Sequence, residues 1–350
     1  MKSCSLVCRA WVPFSTRYLF RHLRLNWSKE DPSQGTSSDT FLLFQNQSPA
    51  LCNLVRTLTI TGSPFYAHSP DISLEDFALL VDNMRNLQGL YLSHVIVSIN
   101  SPSQPTTNCH LDRLSIRGLS LRYSSGTQSD NDDEWAPIIH PLISFLRVFK
   151  GIGLLNLAAG HMKSNSFTGR SLEIIDQTLL TSAKVGIKRL ELSMGFFCNN
   201  TQGTIALLEC LDLSCLEYLR VVYAHSWIVT IINYIAEHSP KLAHVVLQIP
   251  SFGPLGSDTS WVSNMLWEME RMVCKFSLEF AVRLFKGPSA FDHLDWETLK
   301  LRIESMPMLE NIHISIVERR KQAASEVYDI PRRHLLPLQD KFGVVVHIPS

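Results

Sequence analysis

Apolar residues return along this chain nine times in one short spacing, Leu-x-x-Leu-x-Leu or a near relative. The triplets are Val55/Leu58/Ile60, Leu87/Leu90/Leu92, Leu111/Leu114/Ile116, Ile152/Leu155/Leu157 and Ile187/Leu190/Leu192. They continue as Leu216/Leu219/Val221, Leu242/Val245/Leu247, Val273/Phe276/Leu278 and Leu309/Ile312/Ile314. The middle positions run from Leu58 to Ile312, which gives a period of about 32 residues, the length of a supersecondary repeat that must stack on neighbours to bury its apolar face. The last two apolar residues of each triplet stand two apart, so in a strand they share one face and point inward.

The side chains beside them then point outward. Tyr91, Arg113, Ser115, Asn156, Arg189, Glu191, Tyr218, Arg220, His244, Gln248, Lys275, Glu279, Asn311 and His313 are expected to line the concave surface of a curved sheet. Aromatic, arginine and amide side chains are the types that protein interfaces favour. A protein target is the partner this surface predicts, and its identity is not written in the pattern.

Helical periodicity fills the spaces between triplets, over 74–81, 138–149, 172–180, 205–211, 228–236, 261–269 and 294–303. Strands alternating with helices predict an α/β fold, a parallel sheet with outer helices joined by right-handed crossovers. The expected architecture is an irregular leucine-rich-repeat-like solenoid over 51–350, closed by an edge strand at Val344–Ile348 before Pro349. The asparagine or cysteine that usually follows the last apolar position by three is absent: Val95 follows Leu92, and Gly160 follows Leu157. Without that polar ladder the repeats should vary in length. They do, from 24 residues between Leu90 and Leu114 to 41 between Leu114 and Leu155. The longest interval carries the acidic run Asp130–Glu134, which lacks the glycine and the ligand order of a calcium loop.

At the head, Cys4-Ser5-Leu6-Val7-Cys8-Arg9-Ala10-Trp11 places apolar residues at 7, 10, 11, 14 and 18 in helical spacing. Pro13 can begin a second helix, where its missing N–H costs nothing. Tyr18-Leu19-Phe20-Arg21-His22 and the alternating Leu23-Arg24-Leu25 follow. These residues resemble the C-terminal half of an F-box, in the form carried by families of mushroom-type fungal proteins with a leucine-rich array downstream. The resemblance covers 1–25, with 26–50 as a linker; the first half of the motif would lie before Met1, so the F-box is N-terminally truncated. It implies adaptor contacts by Leu6, Val7, Arg9, Trp11 and Phe20 with a Skp-type adaptor. The implied function is substrate recognition for a cullin-type (SCF) ubiquitin ligase. The alternative is a non-enzymatic interaction scaffold that has lost adaptor binding, its helices only capping the first repeat.

Composition narrows the classes. Lys+Arg and Asp+Glu both number 32, so no net field draws nucleic acid or acidic lipid, and neither is expected as a partner. No run reaches the length of a membrane span. Eight cysteines lie scattered, with no Cys-x-x-Cys pair, which predicts reduced thiols and a cytoplasmic or nuclear protein. The basic, acid-free first 29 residues also look like a transit peptide. No Gly-x-Ser-x-Gly elbow, phosphate loop or His-Glu-x-x-His occurs. Gly151-Ile152-Gly153 lacks the third glycine of a dinucleotide loop. No catalytic residue, cofactor or metal site is therefore expected, and the chain is expected not to be an enzyme.

Overall fold

The computed structural model describes residues 12–27, 48–63, 71–99, 107–123, 139–158, 184–193, 201–222, 228–249, 267, 269–284, 296–318, 333–334, 336–339 and 341–347. They form two units, one of residues 1–188 and 202–212, the other of residues 189–201 and 213–350.

The first unit opens with helix α1 (Val12–Phe20) and strand β1 (His22–Trp27). It continues through α2 (Pro49–Cys52), β2 (Thr57–Gly62), β3 (Asp71–Ser73), α3 (Leu74–Asp82), β4 (Gly89–Ile99) and β5 (His110–Tyr123). Then come α4 (Ile139–Leu146), β6 (Gly151–Ala158), the start of β7 (Val185–Ser193), α5 (Thr201–Glu209) and β8 (Leu211–Asp212). The strand order is β1-β2-β4-β5-β6-β7, with β3 beside β4 and β8 beside β7. Pairings β1–β2, β2–β4, β3–β4, β4–β5, β5–β6 and β7–β8 are all parallel. The second unit takes the rest of β7, then β9 (Tyr218–Val222), α6 (Ile228–His238), β10 (His244–Ile249), β11 (Phe276–Leu284), α7 (Trp296–Ser305), β12 (Leu309–Glu318) and β13 (Gly343–His347). Its order is β7-β9-β10-β11-β12-β13, again with every pairing parallel. Each unit is thus α/β with a parallel sheet, compatible with a leucine-rich-repeat-like solenoid.

Register shows why the triplets recur. Leu58, Leu90, Leu114 and Leu155 pair in one row, and Ile60, Leu92, Ile116 and Leu157 in the next. All eight are 0–3% exposed. In the second unit Leu190, Leu219 and Val245 form one row, and Leu192, Val221, Leu247, Leu278 and Ile312 another. Two triplets differ from the expected pattern. Val273 is 57% exposed, and Met272 at 3% takes its inward place, one residue further from Phe276. Leu309 pairs with Phe276, and a bulge then sets Ile312 against Leu278 and Ile314 against Phe280. The last triplet therefore spans an irregular ladder, with Glu310 as its extra residue.

Helices close the crossovers. Ser73 caps α3: its Oγ accepts the Asp76 N–H at 3.0 Å and donates to the Asp76 carboxylate at 2.8 Å. Glu75 and Asp76 sit in the first turn, where the helix dipole favours anions. Helix α6 reads IVTIINYIAEH, and its β-branched residues each cost about 0.5 kcal/mol of helix propensity. Burial of Ile228, Val229, Ile231, Ile232 and Ile235 returns about 1.5–3 kcal/mol for each side chain, so packing decides the conformation. The segment expected to be helical over 205–211 is helical earlier, because Cys210 enters a turn on Leu207 O at 3.1 Å and Leu211 joins β8. The helix expected over 172–180 and most of that over 261–269 lie outside the described residues.

A backbone device stands where the polar ladder is missing. Before six strands one amide turns back on the carbonyl three residues earlier. These bonds are Val55 to Cys52, Leu87 to Met84, Leu216 to Leu213, Leu242 to Ser239, Met272 to Met269 and Met306 to Ile303, at 2.9–3.2 Å. In three repeats the two amides that follow both reach one carbonyl of the preceding repeat. Arg56 and Thr57 donate to Arg21 O, Gln88 and Gly89 to Arg56 O, and Ala243 and His244 to Glu217 O. Main-chain groups thus satisfy the stacked turns, and no particular side chain is required.

The five described cysteines are free thiols, Cys52 and Cys210 among them buried. Burial pushes Cys109 up to about 11, with the Asp82 carboxylate adding to the rise. Alkylation by iodoacetamide at pH 8 should accordingly be about a hundredfold slower at Cys109 than at an ordinary thiol, rising roughly tenfold per pH unit until the pH nears that value. Peptide mapping of the native protein checks this, and fast labelling at pH 8 would show the thiol to be open.

Candidate functional site

Alternation along the strands leaves a polar face opposite the buried one in each unit. In the first unit the facing rows are His22–Thr57–Gly89–Arg113–Leu154, then Arg24–Thr59–Tyr91–Ser115–Asn156, then Asn26–Thr61–Ser93–Arg117–Ala158. Tyr91 lies back over Gly89. A Cβ on that glycine would stand 3.3 Å from Tyr91 Cε2 and 3.7 Å from Thr57 Oγ1, so the missing side chain makes room for the ring. The Arg113 guanidinium carbon is 5.6 Å from the ring centre, a cation–π arrangement. The rows end where His94 and Gly118, both with positive φ (53° and 66°), interrupt the ladder between β4 and β5.

In the second unit the rows are Arg189–Tyr218–His244, then Glu191–Arg220–Val246–Ser277–Asn311–Gly343, then Gln248–Glu279–His313–Val345. Glu279 is the hub. Its Oε2 accepts Arg220 Nη2 at 2.9 Å from two strands away, and its Oε1 accepts Gln248 Nε2 at 3.3 Å. Glu279 is 16% and Arg220 31% exposed, so water screens the pair only in part. Arg220 Nε is buried with no hydrogen-bond partner among the described residues. Burial raises the Tyr218 phenol above its usual range; Arg220 beside it works the other way. Asn311 Nδ2 donates to Ser277 Oγ at 3.4 Å, and its Oδ1 stands 2.6 Å from where a Cβ on Gly343 would be.

The strands thus bring Tyr91, Arg113, Ser115 and Asn156 together in one unit, and Arg189, Glu191, Tyr218, Arg220, His244, Gln248, Glu279, Asn311 and His313 in the other. Lys275 stands one residue ahead of β11, exposed, and pairs with Glu310 at 2.9 Å. The same faces also carry Arg24, the threonines Thr57, Thr59 and Thr61, Ser93, Arg117 and Ser277, which are not among the residues expected from the triplets. Their signal is the same parity: Thr57, Thr59 and Ser277 stand beside the apolar positions of their own triplets, and the others follow when the alternation is carried to β1 and past the last apolar position.

Of the residues tied to adaptor contact, Leu6, Val7, Arg9 and Trp11 lie outside the described residues. Phe20 ends α1, half-buried. Helix α1 holds Pro13 at its second position, as its missing N–H suits. Tyr18, which the helical spacing would place on the apolar face, is 66% exposed.

Gly151 and Gly153 lie in β6 rather than in a phosphate-binding turn. A Cβ at Gly153 would come within 2.7 Å of Asp112 O on the neighbouring backbone, and one at Gly151 within 2.9 Å of Nδ1 of the His110 ring, so close strand approach accounts for the first and the packed imidazole for the second. Among the described residues no group of three or more His, Cys, Asp or Glu could hold a metal ion. No described helix is long and apolar enough to cross a membrane.

No protein-family model matches the chain, and no curated protein matches it. Among solved structures, a Bacteroides fragilis protein determined as a structural-genomics target is 10% identical; the alignment covers 93% of this chain and 74% of that one, with a TM-score of 0.38. A likeness of that degree carries no conclusion about fold or activity.

Proposed function

We propose that this chain is a protein-interaction module, and that its F-box-like head makes it a substrate-recognition subunit of a cullin-type ubiquitin ligase in the cytoplasm or nucleus. The observation that carries the first part is the pair of open strand faces. Side chains of interface type stand there in register over buried leucine rows, which fix their backbone positions before a partner docks. The second part rests on the head residues, and the exposure of Tyr18 on α1 supports it, since an aromatic left open beside an adaptor motif is available to an adaptor.

A scaffold without an adaptor is the second reading, and β1 favours it. Six residues of β1 pair with β2 in unbroken parallel register, so the head is also the first strand of the first unit's sheet. Trp11→Ala separates the two. An adaptor anchor loses at least about tenfold in affinity on truncation, whereas a cap loses about 3–5 kcal/mol of stability. The expected result, by pull-down with a Skp-type adaptor and by thermal unfolding of the natural full-length protein, is weakened adaptor binding with an almost unchanged Tm. A large fall in Tm with no adaptor binding in the parent protein would overturn the receptor reading in favour of the scaffold.

A further inference from the structure

We infer that the open face of the first unit is a docking surface for an extended acidic peptide segment, with Arg113 and Tyr91 at its centre. This rests on the reading of the chain as an interaction module and names the chemistry of the partner that one face takes.

The two open faces differ in charge. In the second unit Glu191 and Glu279 offset Arg189 and Arg220, and the best placed of these charges are already paired with each other. On the first unit's face the charged side chains are all basic or histidine: His22, Arg24, Arg113 and Arg117, each exposed. Around them stand Thr57, Thr59, Thr61, Ser93 and Ser115, hydroxyls able to donate to an anion. Strands β1, β2, β4, β5 and β6 contain a single carboxylate, Asp112. It lies where the β5–β6 ladder skips a residue, outside the alternation that defines the face. No carboxylate among the described residues pairs with Arg24, Arg113 or Arg117. Among the described residues this strand face thus stands without counter-charges of its own, in a chain whose acidic and basic residues are equal in number.

Spacing favours a peptide. Arg24 lies three strands from β5 and two residues out of step with both Arg113 and Arg117, about 16 Å from each, whereas those two stand four residues apart on β5, about 13 Å. An extended chain presents carboxylates at that distance when every fourth residue is acidic. A single-stranded nucleic acid is the lesser fit, since its binding relies on successive aromatic platforms, whereas Tyr91 is the one aromatic in these three rows and its ring already packs over Gly89 beside Arg113.

The test is fluorescence anisotropy with the full chain and a fluorescein-labelled peptide bearing glutamate at every fourth position. Its lysine counterpart and a labelled oligothymidylate are run beside it. The acidic peptide should bind, weaken with rising salt, and lose at least about tenfold in affinity in Arg113→Glu. Arg85→Glu makes the same charge change at an exposed site off the strands and should stay within about twofold. Should Arg113→Glu not fold, Arg113→Gln with Arg117→Gln reads the same loss. The inference is overturned if the acidic peptide does not bind, if Arg85→Glu weakens it as much as Arg113→Glu, or if the oligonucleotide binds more tightly. Adaptor pull-down is unaffected by any of these outcomes, so failure here and failure of the ligase reading are told apart.

Discussion

Phe145→Ala should lower the stability of the first unit by about 3–5 kcal/mol, the cost of removing a fully buried phenylalanine and leaving a cavity. Phe145 in α4 is 0% exposed and meets Phe77 of α3 at 5.0 Å between ring centres and Phe149 at 5.8 Å; Phe77 and Phe149 are 6.4 Å apart, edge to face. The three rings tie two crossover helices together, so truncation loses aromatic pairing as well as area, the pairing alone contributing about 0.5–1.5 kcal/mol per contact. Phe145→Leu retains most of the volume and should lose about half as much or less. Urea unfolding followed by circular dichroism reads both variants. A Phe145→Ala loss below about 1 kcal/mol would mean that the site collapses onto the gap, and that α3 and α4 are not joined through these rings.

How far this arrangement could be read from the chain depends on the scale asked about. The strand interiors were legible because Leu-x-Leu at a two-residue spacing has one structural meaning, and eight of those residues in the first unit are the buried rows observed. The triplet was nevertheless only part of the repeat. A further inward residue stands three before its first position, as in Cys52/Val55, Met84/Leu87, Leu213/Leu216 and Ser239/Leu242, and it carries the carbonyl on which those four turns close. That position has no sequence signature because its occupants are cysteine, methionine, serine and leucine, chemically mixed yet alike in offering a main-chain oxygen. The missing asparagine ladder is legible in the chain as a departure from regular repeats. What replaces it is backbone hydrogen bonding to Arg21 O, Arg56 O and Glu217 O, which no side-chain pattern reports. Val273 departs from the triplet pattern for a related reason: an extra residue before Phe276 puts Met272 inside, and methionine fits such an irregular gap.

The open faces were legible position by position but not as surfaces. Parity alone gave Tyr91, Arg113, Arg220 and Glu279, whereas which of them meet depends on strand neighbours fixed only by the fold. Arg220 and Glu279 are 59 residues apart in sequence and 2.9 Å apart in space. The acid-free character of the first unit's face likewise appears only once β1 is known to pair with β2, which brings Arg24 into the same row as Tyr91. The adaptor residues rest on resemblance alone.

Leu219→Ala tests whether the second unit behaves as stacked repeats. Leu219 is 0% exposed and lies in one row between Leu190 of β7 and Val245 of β10, so its truncation should cost about 2–5 kcal/mol. In a stack where each repeat contacts only its neighbours, that loss has a direction. Amide hydrogen exchange should accelerate most in β9, then in β7 and β10, whose rows it shares, and least in β12 and β13. A cooperative globular core would instead lower protection evenly across the unit, because every amide would open through the same global unfolding. Both patterns share one total energy, so the strand-by-strand gradient decides between them: equal acceleration in β9 and β13 would sink the nearest-neighbour account. A steep decline would place the stability of each open-face side chain in the two strands that flank it. Arg220 and Glu279 would then be held by β9, β10 and β11 alone, and a substitution in β13 would leave their geometry untouched.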